Sequence, residues 1–513
     1  MRFLTVEQMR VADRAAVTEA GIPDITLMNR AGAALARTVA TLAPLRGTRS
    51  VILIAGHGNN GGDACVAARC LHEGGFRARV IMACDPAALK GSALQAFDDM
   101  RAAGVPILPG LPETALPGDI IVDGILGTGC RGAPTGAAEH AIRWINNARP
   151  HALVVSADIP SGMNGDTGET PGAAVRADAT VTFARPKRCF LNPASAALAG
   201  HLTVADIGIP DAICDRAAAD TPCRLIALPA LARAFPRRAW DTHKGRLGHV
   251  CVIGGADGYA HAPVLAALGA VRSGAGLVTL AVPASSVPAA AAWVPEAMVR
   301  VLETPDALLT WGRDLGAFDA LIVGPGLTVS ERTLGLISDL LANYDGRLLL
   351  DADGLNALAL LHASGDWQPR ENQRLLLTPH PGEAARLLGV TTDTIQANRL
   401  DAVQDLAETY EATVILKGAG TLVCAPGDIP RLNLTGNPGM ATGGTGDILA
   451  GMAAALWAQG LTPSDAAATA VWAHGTAGDY AASTESRATL TATTLARHLG
   501  AAFRELERAG DKE

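Results

Sequence analysis

Short apolar runs alternate with helix-compatible segments along most of the chain, and this alternation constrains the fold more than any other feature. In the first half, helical spacing joins Val6, Met9, Ala12, Ala15 and Ala16, and a second helix is indicated over residues 27–42. The apolar runs that follow cover residues 51–55, 78–83, 119–122, 153–157 and 180–183. Strands separated by helices are typical of a parallel sheet covered on both faces, so we predict an α/β fold.

A second series of the same kind begins near residue 250. Its apolar runs cover residues 250–254, 277–282, 320–323, 348–350, 375–377 and 413–416. Residues 211–241, with scattered Ala, Pro and Cys, interrupt the alternation of strands and helices, and we interpret them as a linker and the start of the second domain. The 513 residues exceed the length of an ordinary single domain. We predict two three-layer α/β/α domains, over residues 1–215 and 225–508.

Composition excludes several classes of protein. Hydrophobic residues make up 49% of the chain and charged residues 18%, which excludes a disordered protein. The net charge of −8 argues against a nucleic-acid binder. The longest apolar stretch, near residues 448–458, is about half of the ~20 residues that a membrane span needs. The nine cysteines form no CxxC pair, so we expect reduced thiols and no zinc site. We expect a cytoplasmic protein without nucleic-acid or membrane partners.

A glycine-rich segment follows the first predicted strand. Residues 56–63, GHGNNGGD, satisfy the pattern G-x-G-x-x-G between a strand and a helix. Glycines at such a turn let the backbone approach a pyrophosphate, and the helix N-terminus favours the anion. Asp85, about 20 residues further on, fits a ribose-binding carboxylate. The segment predicts a Rossmann-like nucleotide site, although a tight turn without a ligand would give the same pattern.

Two carboxylates end later strands of the first half. Asp123 precedes GILGTG and Asp158 precedes IPSG. Ligands of parallel sheets bind at the carboxyl ends of the strands, so Asn60, Asp123 and Asp158 should converge on one crevice. Their amide and carboxylate oxygens suit an alkali or alkaline-earth cation. Each aspartate could instead cap a helix or form a turn.

The segments GHGNNGGD, DGILGTG, ADIPSGMNGDTG, TVTFARPK and ADIGIP, in this order, resemble the YjeF N-terminal family, the NAD(P)H-hydrate epimerases. The resemblance covers residues 5–210 and implies a K⁺-assisted epimerase acting on C6 of hydrated NADH or NADPH. It implies K⁺ ligands at Asn60, Asp123 and Ser161. The implied substrate-binding residues are Asn59, Asn60, Gly61, Gly62, Asp63, Gly127, Thr128, Gly129, Cys130, Arg131, Gly132, Ala133 and Asp158. We expect Asp158 to be catalytic, because a strand-end carboxylate can shuttle a proton.

In the second half, residues 437–449 carry the pattern expected of a phosphoryl-transfer site. Gly443, Gly444, Thr445 and Gly446 precede an apolar helix, so consecutive backbone N–H groups can stabilise charge on a phosphoryl group. Asp447 is placed to accept the proton of an attacking hydroxyl. The pattern differs from the P-loop, G-x-x-x-x-G-K-[ST]. Asp447 could otherwise be a plain N-terminal helix residue.

Other polar or glycine-bearing clusters lie beside apolar runs of this half. They are HKG at 243–245, GPG at 324–326, DADG at 351–354, HPGE at 380–383 and KGAGT at 417–421. Several such clusters at strand ends of one domain predict a nucleotide site, in which residues 417–421 could hold phosphates. His380 alone could equally be a turn histidine.

The segments HKGRLGHVCVIGG, HAPVLAALGAVRSGAGLVTL, VGPGL, DADGLN, TPHPGE, LKGAGT and NPGMATGGTGD resemble the YjeF C-terminal family, the ribokinase-like, nucleotide-dependent NAD(P)H-hydrate dehydratases, over residues 225–505. The resemblance implies that Ala262, Gly326, His380 and Asp447 contact the hydrate. It implies nucleotide contacts at Lys417, Gly418, Ala419, Gly420, Thr421 and Gly446. ADP or ATP would be the phosphoryl donor, with Mg²⁺, and a fused protein suggests ADP.

The two resemblances predict one bifunctional repair enzyme. The second domain would phosphorylate the C6 hydroxyl of one epimer and expel phosphate, and the first would convert the other epimer, so that NADH or NADPH hydrate is fully recovered. We also expect a homo-oligomer. One alternative is a ribokinase-like kinase of a small alcohol fused to a nucleotide-binding module. Another is a first domain that only senses NAD or binds a protein.

Overall fold

The computed structural model describes residues 1–113, 119–218, 220–304, 307–308, 315–370 and 374–511. The chain divides into two compact units, Met1–Thr221 and Pro222–Glu513. Within the described ranges, none of the helices is both long and apolar enough to cross a membrane.

The first unit alternates helices and strands as the sequence predicts. Its helices are α1 (Val6–Thr18), α2 (Asp24–Arg46), α3 (Asn59–Glu73), α4 (Gly91–Ala102), α5 (Gly136–Ala148), α6 (Pro193–Ala199) and α7 (Asp211–Ala217). Its strands are β1 (Ser50–Ala55), β2 (Arg77–Met82), β3 (Ile107–Leu108), β4 (Ile120–Gly124), β5 (Leu153–Ala157), β6 (Ala179–Phe183) and β7 (His201–Ala205).

These strands form one parallel sheet in the order β3-β2-β1-β4-β5-β6-β7. The order reverses between β1 and β4, which is the switch point where doubly wound sheets bind ligands. The carboxyl ends of β1, β4 and β5 are neighbours, since Ile54 pairs with Asp123 and Asp123 with Ser156. The Rossmann-like prediction is therefore confirmed, while β3 and β7 had no clear signal in the sequence.

Close backbone approaches explain the glycines of the first turn. A Cβ on Gly61 would lie 1.9 Å from the Gly56 carbonyl oxygen, and one on Gly56 would lie 1.9 Å from that of Ile125. Gly58 has open space around it. Gly56 and Gly61 therefore allow α3 to pack against the ends of β1 and β4.

The second unit contains more helices and a larger sheet. Its helices are α8 (Leu228–Ala234), α9 (Ala262–Arg272), α10 (Val287–Trp293), α11 (Glu331–Asn343), α12 (Asp353–Ser364), α13 (Pro381–Leu388), α14 (Thr392–Ala397), α15 (Arg399–Tyr410), α16 (Thr445–Ala458), α17 (Pro463–Thr484) and α18 (Ala492–Gly510). Its strands are β8 (Arg224–Leu225), β9 (His249–Ile253), β10 (Leu277–Val282), β11 (Met298–Val301), β12 (Ala320–Val323), β13 (Arg347–Leu350), β14 (Leu375–Leu377), β15 (Thr413–Leu416), β16 (Leu422–Cys424) and β17 (Arg431–Leu432).

The sheet of the second unit has the order β11-β10-β9-β12-β13-β14-β15-β16-β17-β8. The pairs β15–β16 and β16–β17 are antiparallel and the other pairs are parallel. The strands β9, β12, β13, β14 and β15 are almost wholly buried, as expected of parallel strands covered on both faces. The α/β prediction is confirmed for this unit too.

Residues 211–241 contain the boundary between the two units, at Thr221/Pro222, as the sequence predicts, but they are not an irregular linker. This stretch forms α7, β8 and α8, and β8 pairs with β17 at the edge of the second sheet. Two-residue strands such as β8 and β17 lack the length for a recognisable alternation of side chains, so their pairing depends on tertiary contacts.

Helix α16 is buried nearly all round, from Ile448 to Ala458. Gly269 and Gly451 let it approach α9, because a Cβ on Gly451 would lie 1.9 Å from the Ala266 carbonyl oxygen. This packing fixes the N-terminus of α16, which carries Asp447, against the sheet.

Candidate active sites

The β1–α3 turn places Asn60 in the interior of the first unit. Helix α3 begins at Asn59 after Gly58, and the Asn60 side chain is 6% exposed. Its Nδ2 donates to the Leu126 carbonyl oxygen at 3.1 Å. Asn60 thereby ties the first turn to the segment that follows β4.

The Asp123 and Ser161 side chains contact each other behind the hydrogen bond between Asn60 and Leu126, and both residues are fully buried. The Ser161 hydroxyl lies 2.5 Å from Asp123 Oδ1, and the backbone N–H of Ser161 donates to Oδ2 at 2.9 Å. Ser161 Oγ also lies 3.0 Å from the Leu126 carbonyl oxygen. Burial raises the pKa of Asp123, and the hydrogen bonds from Ser161 and Ser156 oppose this rise. The structure thus brings Asn60, Asp123 and Ser161 together around Leu126.

Asp158 follows β5 in a left-handed backbone conformation, with φ of +62°. This φ is uncommon outside glycine and marks a constrained position. Its Oδ1 accepts from Lys187 Nζ at 2.5 Å and from the Thr182 hydroxyl at 3.0 Å. Lys187 is only 1% exposed. A buried ammonium therefore holds the Asp158 carboxylate at the carboxyl end of the sheet.

A cavity of about 370 Å³ opens beside these groups. Of the residues that the sequence assigned to substrate, those that line it are Asn59, Asn60, Asp63, Gly127, Thr128, Gly129, Cys130 and Asp158. Gly61 and Gly62 do not line it and instead pack α3 against Gly56 and Met28. Arg131, Gly132 and Ala133 are exposed and lie outside its lining. Asp123 and Ser161 lie behind the lining residues.

The cavity also contains charged residues that the sequence analysis missed. Arg10, Asp13, Asp24 and Lys187 line it. Burial raises the pKa of Asp13 to about 6; Lys187 opposes the rise, and Asp158 and Asp24 add to it. Burial, with Asp158 and Asp13, also raises the pKa of Asp63 well above its usual range. The cavity thus combines several carboxyl groups with one buried ammonium.

Asp85 does not have the position expected of a ribose-binding carboxylate. Its Oδ1 accepts from the backbone N–H of Ala87 at 3.0 Å and caps a short helix, Pro86–Ala88. It is absent from the cavity lining among the described residues. Asp85 is a turn-forming residue after β2, and its spacing of about 20 residues from the glycine-rich segment does not indicate a ribose site.

In the second unit, Asp447 lies in the first turn of α16 and Gly444 precedes the helix with φ of +90°. A Cβ on Gly446 would lie 3.4 Å from Lys417 Nζ, so the ammonium lies directly against this turn. Burial raises the pKa of Asp447 to about 7; Asp351 adds to the rise and Lys417 opposes it. A carboxyl with a pKa near neutrality can exchange protons efficiently.

Lys417 is the centre of a buried charge cluster. Its Nζ lies 2.9 Å from Asp351 Oδ1 and 3.8 Å from Glu383 Oε2. Burial acts to lower the pKa of Lys417, but Asp351, Glu383 and Asp447 together raise it above its ordinary value. The lysine therefore remains a cation, held at the N-terminus of α16 by carboxylates from other elements.

His380 caps α13. Its Nδ1 accepts from the backbone N–H groups of Gly382 and Glu383, at 3.0 and 3.3 Å. Because Nδ1 accepts both bonds, the hydrogen of the neutral ring lies on Nε2. Burial lowers the pKa of His380. Nε2 lies 3.3 Å from Glu383 Oε1.

Arg399, which the sequence analysis did not single out, holds the 417–421 loop. Its Nη2 donates to the carbonyl oxygens of Leu416, Lys417 and Gly420, each at 3.2 Å. The Thr421 hydroxyl donates to Gly418 within the same loop. These bonds fix the loop that the sequence assigned to the nucleotide.

Two further residues assigned to the hydrate are neighbours. A Cβ on Gly326 would lie 3.4 Å from the Ala262 Cβ and 2.8 Å from the Tyr259 carbonyl oxygen. Position 326 requires a glycine for two reasons: its φ is +67°, and a Cβ there would come too close to the Tyr259 carbonyl oxygen.

Family models match both units. Residues 24–189 match the YjeF-related protein N-terminus, and residues 250–500 match NAD(P)H-hydrate dehydratase. A ribokinase-like superfamily protein of known structure from Enterococcus faecalis is 28% identical, with a TM-score of 0.50; the match covers 56% of this chain and 97% of that one. The ribokinase-like prediction is thereby confirmed.

Two relatives match nearly the whole chain. A Coxiella burnetii protein named bifunctional NAD(P)H-hydrate repair enzyme Nnr is 40% identical, over 96% of this chain and 97% of its own length. A Moorella thermoacetica protein of the same name is 39% identical, over 91% and 90%. The chain belongs to the family of bifunctional NAD(P)H-hydrate repair enzymes.

Proposed function

We propose that the second unit dehydrates the S epimer of NADH or NADPH hydrate at the expense of ADP or ATP, and that the first unit interconverts the two C6 epimers. The observation that carries the proposal is the position of Asp447 in the first turn of α16, against Lys417 and the glycine segment. A base, a cation and a helix N-terminus meet there, and phosphoryl transfer needs all three.

The dehydration begins at the C6 hydroxyl, which is a poor leaving group. The Asp447 carboxylate accepts its proton while the oxygen attacks the terminal phosphorus, and the bond from phosphorus to the departing nucleotide breaks. The backbone N–H groups of Gly443–Gly446 and the Lys417 ammonium stabilise the charge on the transferring group. The lone pair of ring N1 then expels phosphate from C6, and loss of a proton from C5 leaves NADH or NADPH. Mg²⁺ would neutralise the phosphates of the nucleotide.

Neighbouring residues support this assignment. Arg399 fixes the 417–421 loop through carbonyl oxygens. The Lys417 N–H donates to the Pro379 carbonyl oxygen, so nucleotide phosphates would use the N–H groups of residues 418–421. The half-exposed His380 ring, whose Nε2 lies 3.3 Å from Glu383 Oε1, can contact the hydrate. Ala262 and Gly326 form a wall of small residues on which the hydrated nicotinamide ring can lie.

In the first unit, we assign the cavity to the hydrate and Asp158 to proton transfer at C6. The residues behind it fit an alkali cation. Ser161 Oγ lies within hydrogen-bond distance of both Asp123 Oδ1 and the Leu126 carbonyl oxygen, yet its single proton can satisfy only one of them. K⁺ would be held by Asn60, Asp123 and Ser161, and it would offset the buried charge of Asp123.

Recovery of reduced nicotinamide from a mixture of both C6 epimers tests the proposal. The protein is incubated with Mg²⁺, K⁺ and either ADP or ATP, and absorbance is followed. We expect full recovery with one nucleotide, with ADP the expected donor, and one phosphate released per hydrate. Recovery that stalls at half would overturn the epimerase, and a stable phosphorylated product would favour a kinase of small alcohols.

A further inference from the structure

The Asp13 carboxyl lines the cavity of the first unit and has no role in the chemistry assigned so far. Inversion at C6 requires the C6–O bond to break on one face of the ring and to form on the other. The leaving hydroxyl takes up one proton, and the water that adds gives one up. Two proton transfers on opposite faces need two groups, and Asp158 provides one of them.

Asp158 is fixed by its contact with Lys187. Its Oδ1 accepts from the buried Lys187 Nζ at 2.5 Å, so this carboxyl has a set position at the end of β5. A carboxyl fixed in this way serves one face of the ring, so the proton transfer on the other face needs another residue.

Asp13 lies on α1 and reaches the cavity from a different element than Asp158. Among the described residues, no group donates a hydrogen bond to its side chain, and it is only partly exposed. Its pKa of about 6, raised mainly by burial, leaves part of the population protonated near neutral pH. Carboxyl pairs in unlike environments commonly divide the acid and base roles in this way.

The other charged groups of the cavity are less suited to this role. Asp24 accepts a hydrogen bond from the Ser92 hydroxyl at 2.8 Å. Asp63 is 7% exposed, which makes it less accessible than the partly exposed Asp13. Arg10 pairs with Glu7 at 3.6 Å and Lys187 pairs with Asp158 at 2.5 Å. His57 lines the cavity but is exposed.

We propose that Asp13 is a second catalytic residue of the epimerase and acts as the acid/base partner of Asp158. This inference rests on the proposed epimerase activity. Protonated Asp13 gives its proton to the C6 hydroxyl, the C6–O bond breaks, and water leaves as the N1 lone pair forms an N1=C6 bond. A water on the other face adds to C6, Asp158 accepts its proton, and the electron pair returns to N1. The opposite epimer uses the two groups in reversed roles.

Oxygen exchange measured together with inversion tests this pair. Each purified epimer is incubated with the full chain in H₂¹⁸O without nucleotide, so that no dehydration occurs. We expect the wild type to invert both epimers and to place ¹⁸O on C6. If it does neither, the proposed epimerase function fails, independently of Asp13.

Asp13→Asn should lower inversion by about 10²-fold or more for both epimers. It should still exchange oxygen with retention for the epimer whose hydroxyl faces Asp158, because Asp158 can break and re-form that bond alone. Asp158→Asn should instead retain oxygen exchange for the epimer whose hydroxyl faces Asp13. Asp13→Glu should restore part of the inversion rate. Asp98→Asn, an exposed change on α4, is the matched control and should behave as wild type.

Two results would overturn the proposal. One is inversion by Asp13→Asn at the wild-type rate. The other is an equal loss of exchange for both epimers, which indicates a structural role. Thermal unfolding of the first unit reports whether a variant has folded, and Asp13→Ser serves if the asparagine variant has not.

Discussion

Lys417 and Asp351 form a buried ion pair, with 2.9 Å between Nζ and Oδ1, and their side chains are 18% and 2% exposed. Asp351 also accepts from the Thr378 hydroxyl at 2.7 Å, so its position is fixed from a second side. The pair holds a cation against the first turn of α16, where Asp447 lies. In the proposed dehydratase mechanism, Asp351 therefore acts through Lys417 and need not touch either substrate.

Asp351→Asn should destabilise the second unit by about 3–5 kcal/mol, because removing one partner leaves a buried charge uncompensated. The dehydratase rate should fall as well, since Lys417 loses its orientation. Chemical denaturation and nucleotide-dependent recovery measure the two effects.

Asp345→Asn is the matched control for this change. Asp345 pairs with Arg370 at 2.7 Å but is 88% exposed, so its loss should cost about 0–1 kcal/mol. Equal costs for the two variants would contradict the importance of burial at Asp351.

Asp447→Asn should lower the dehydratase rate by about 10²–10⁴-fold, as expected for a general base. The wild-type rate should rise with pH through about 7, because the carboxylate is the active form and the pKa of Asp447 is about 7. Asp405→Asn, on the exposed face of α15, should leave both the rate and its pH profile unchanged. A variant at Asp447 with wild-type turnover would remove it from the mechanism.

The same Asp447→Asn substitution should stabilise the fold at pH 8. The pKa of Asp447 rises from 3.8 to about 7 on folding, so the folded chain holds a proton that the unfolded chain releases between these values. The free energy of unfolding of the wild type therefore falls as the pH rises from 3.8 to about 7. The thermal midpoint of the variant should exceed that of the wild type at pH 8, and the two should converge as the pH falls toward 4.

Gly61→Ala should destabilise the first unit by about 1–3 kcal/mol, because the added Cβ would meet the Gly56 carbonyl oxygen at 1.9 Å. Gly58→Ala lies in the same turn with open space around it and should change the free energy of unfolding far less. Urea unfolding of the two variants, compared at one temperature, checks this. Similar losses would mean that the turn needs flexibility at both positions.

Removal of K⁺ should slow epimer interconversion. Replacement of K⁺ by tetramethylammonium, whose methyl groups prevent coordination by oxygen ligands, should lower the inversion rate, and added K⁺ should restore it. Ser161→Ala should weaken this response, because it removes one proposed ligand. An inversion rate that is unchanged without K⁺ would exclude the assigned site.

Much of the fold could be predicted from the sequence, because its signals are local. The strands β5, β10, β12, β14 and β15 were predicted to the residue, since each is a short, mostly buried run rich in apolar residues. The edge strands β8 and β11 and the two-residue strand β17 were not predicted, because their pairing depends on tertiary contacts.

The sequence by itself determined both the α/β class and the motifs at the strand ends, and so placed Asn60, Asp158 and Asp447, because glycine turns and strand-end carboxylates are encoded within a few consecutive residues. Only the tertiary structure decided what surrounds them. Asp13 carries no motif, and the DADG motif of Asp351 gave no indication that this residue pairs with Lys417; both residues come from elements far along the chain. Their effect depends on burial and on the distance to other charges, and both are set by packing rather than by neighbours in the sequence.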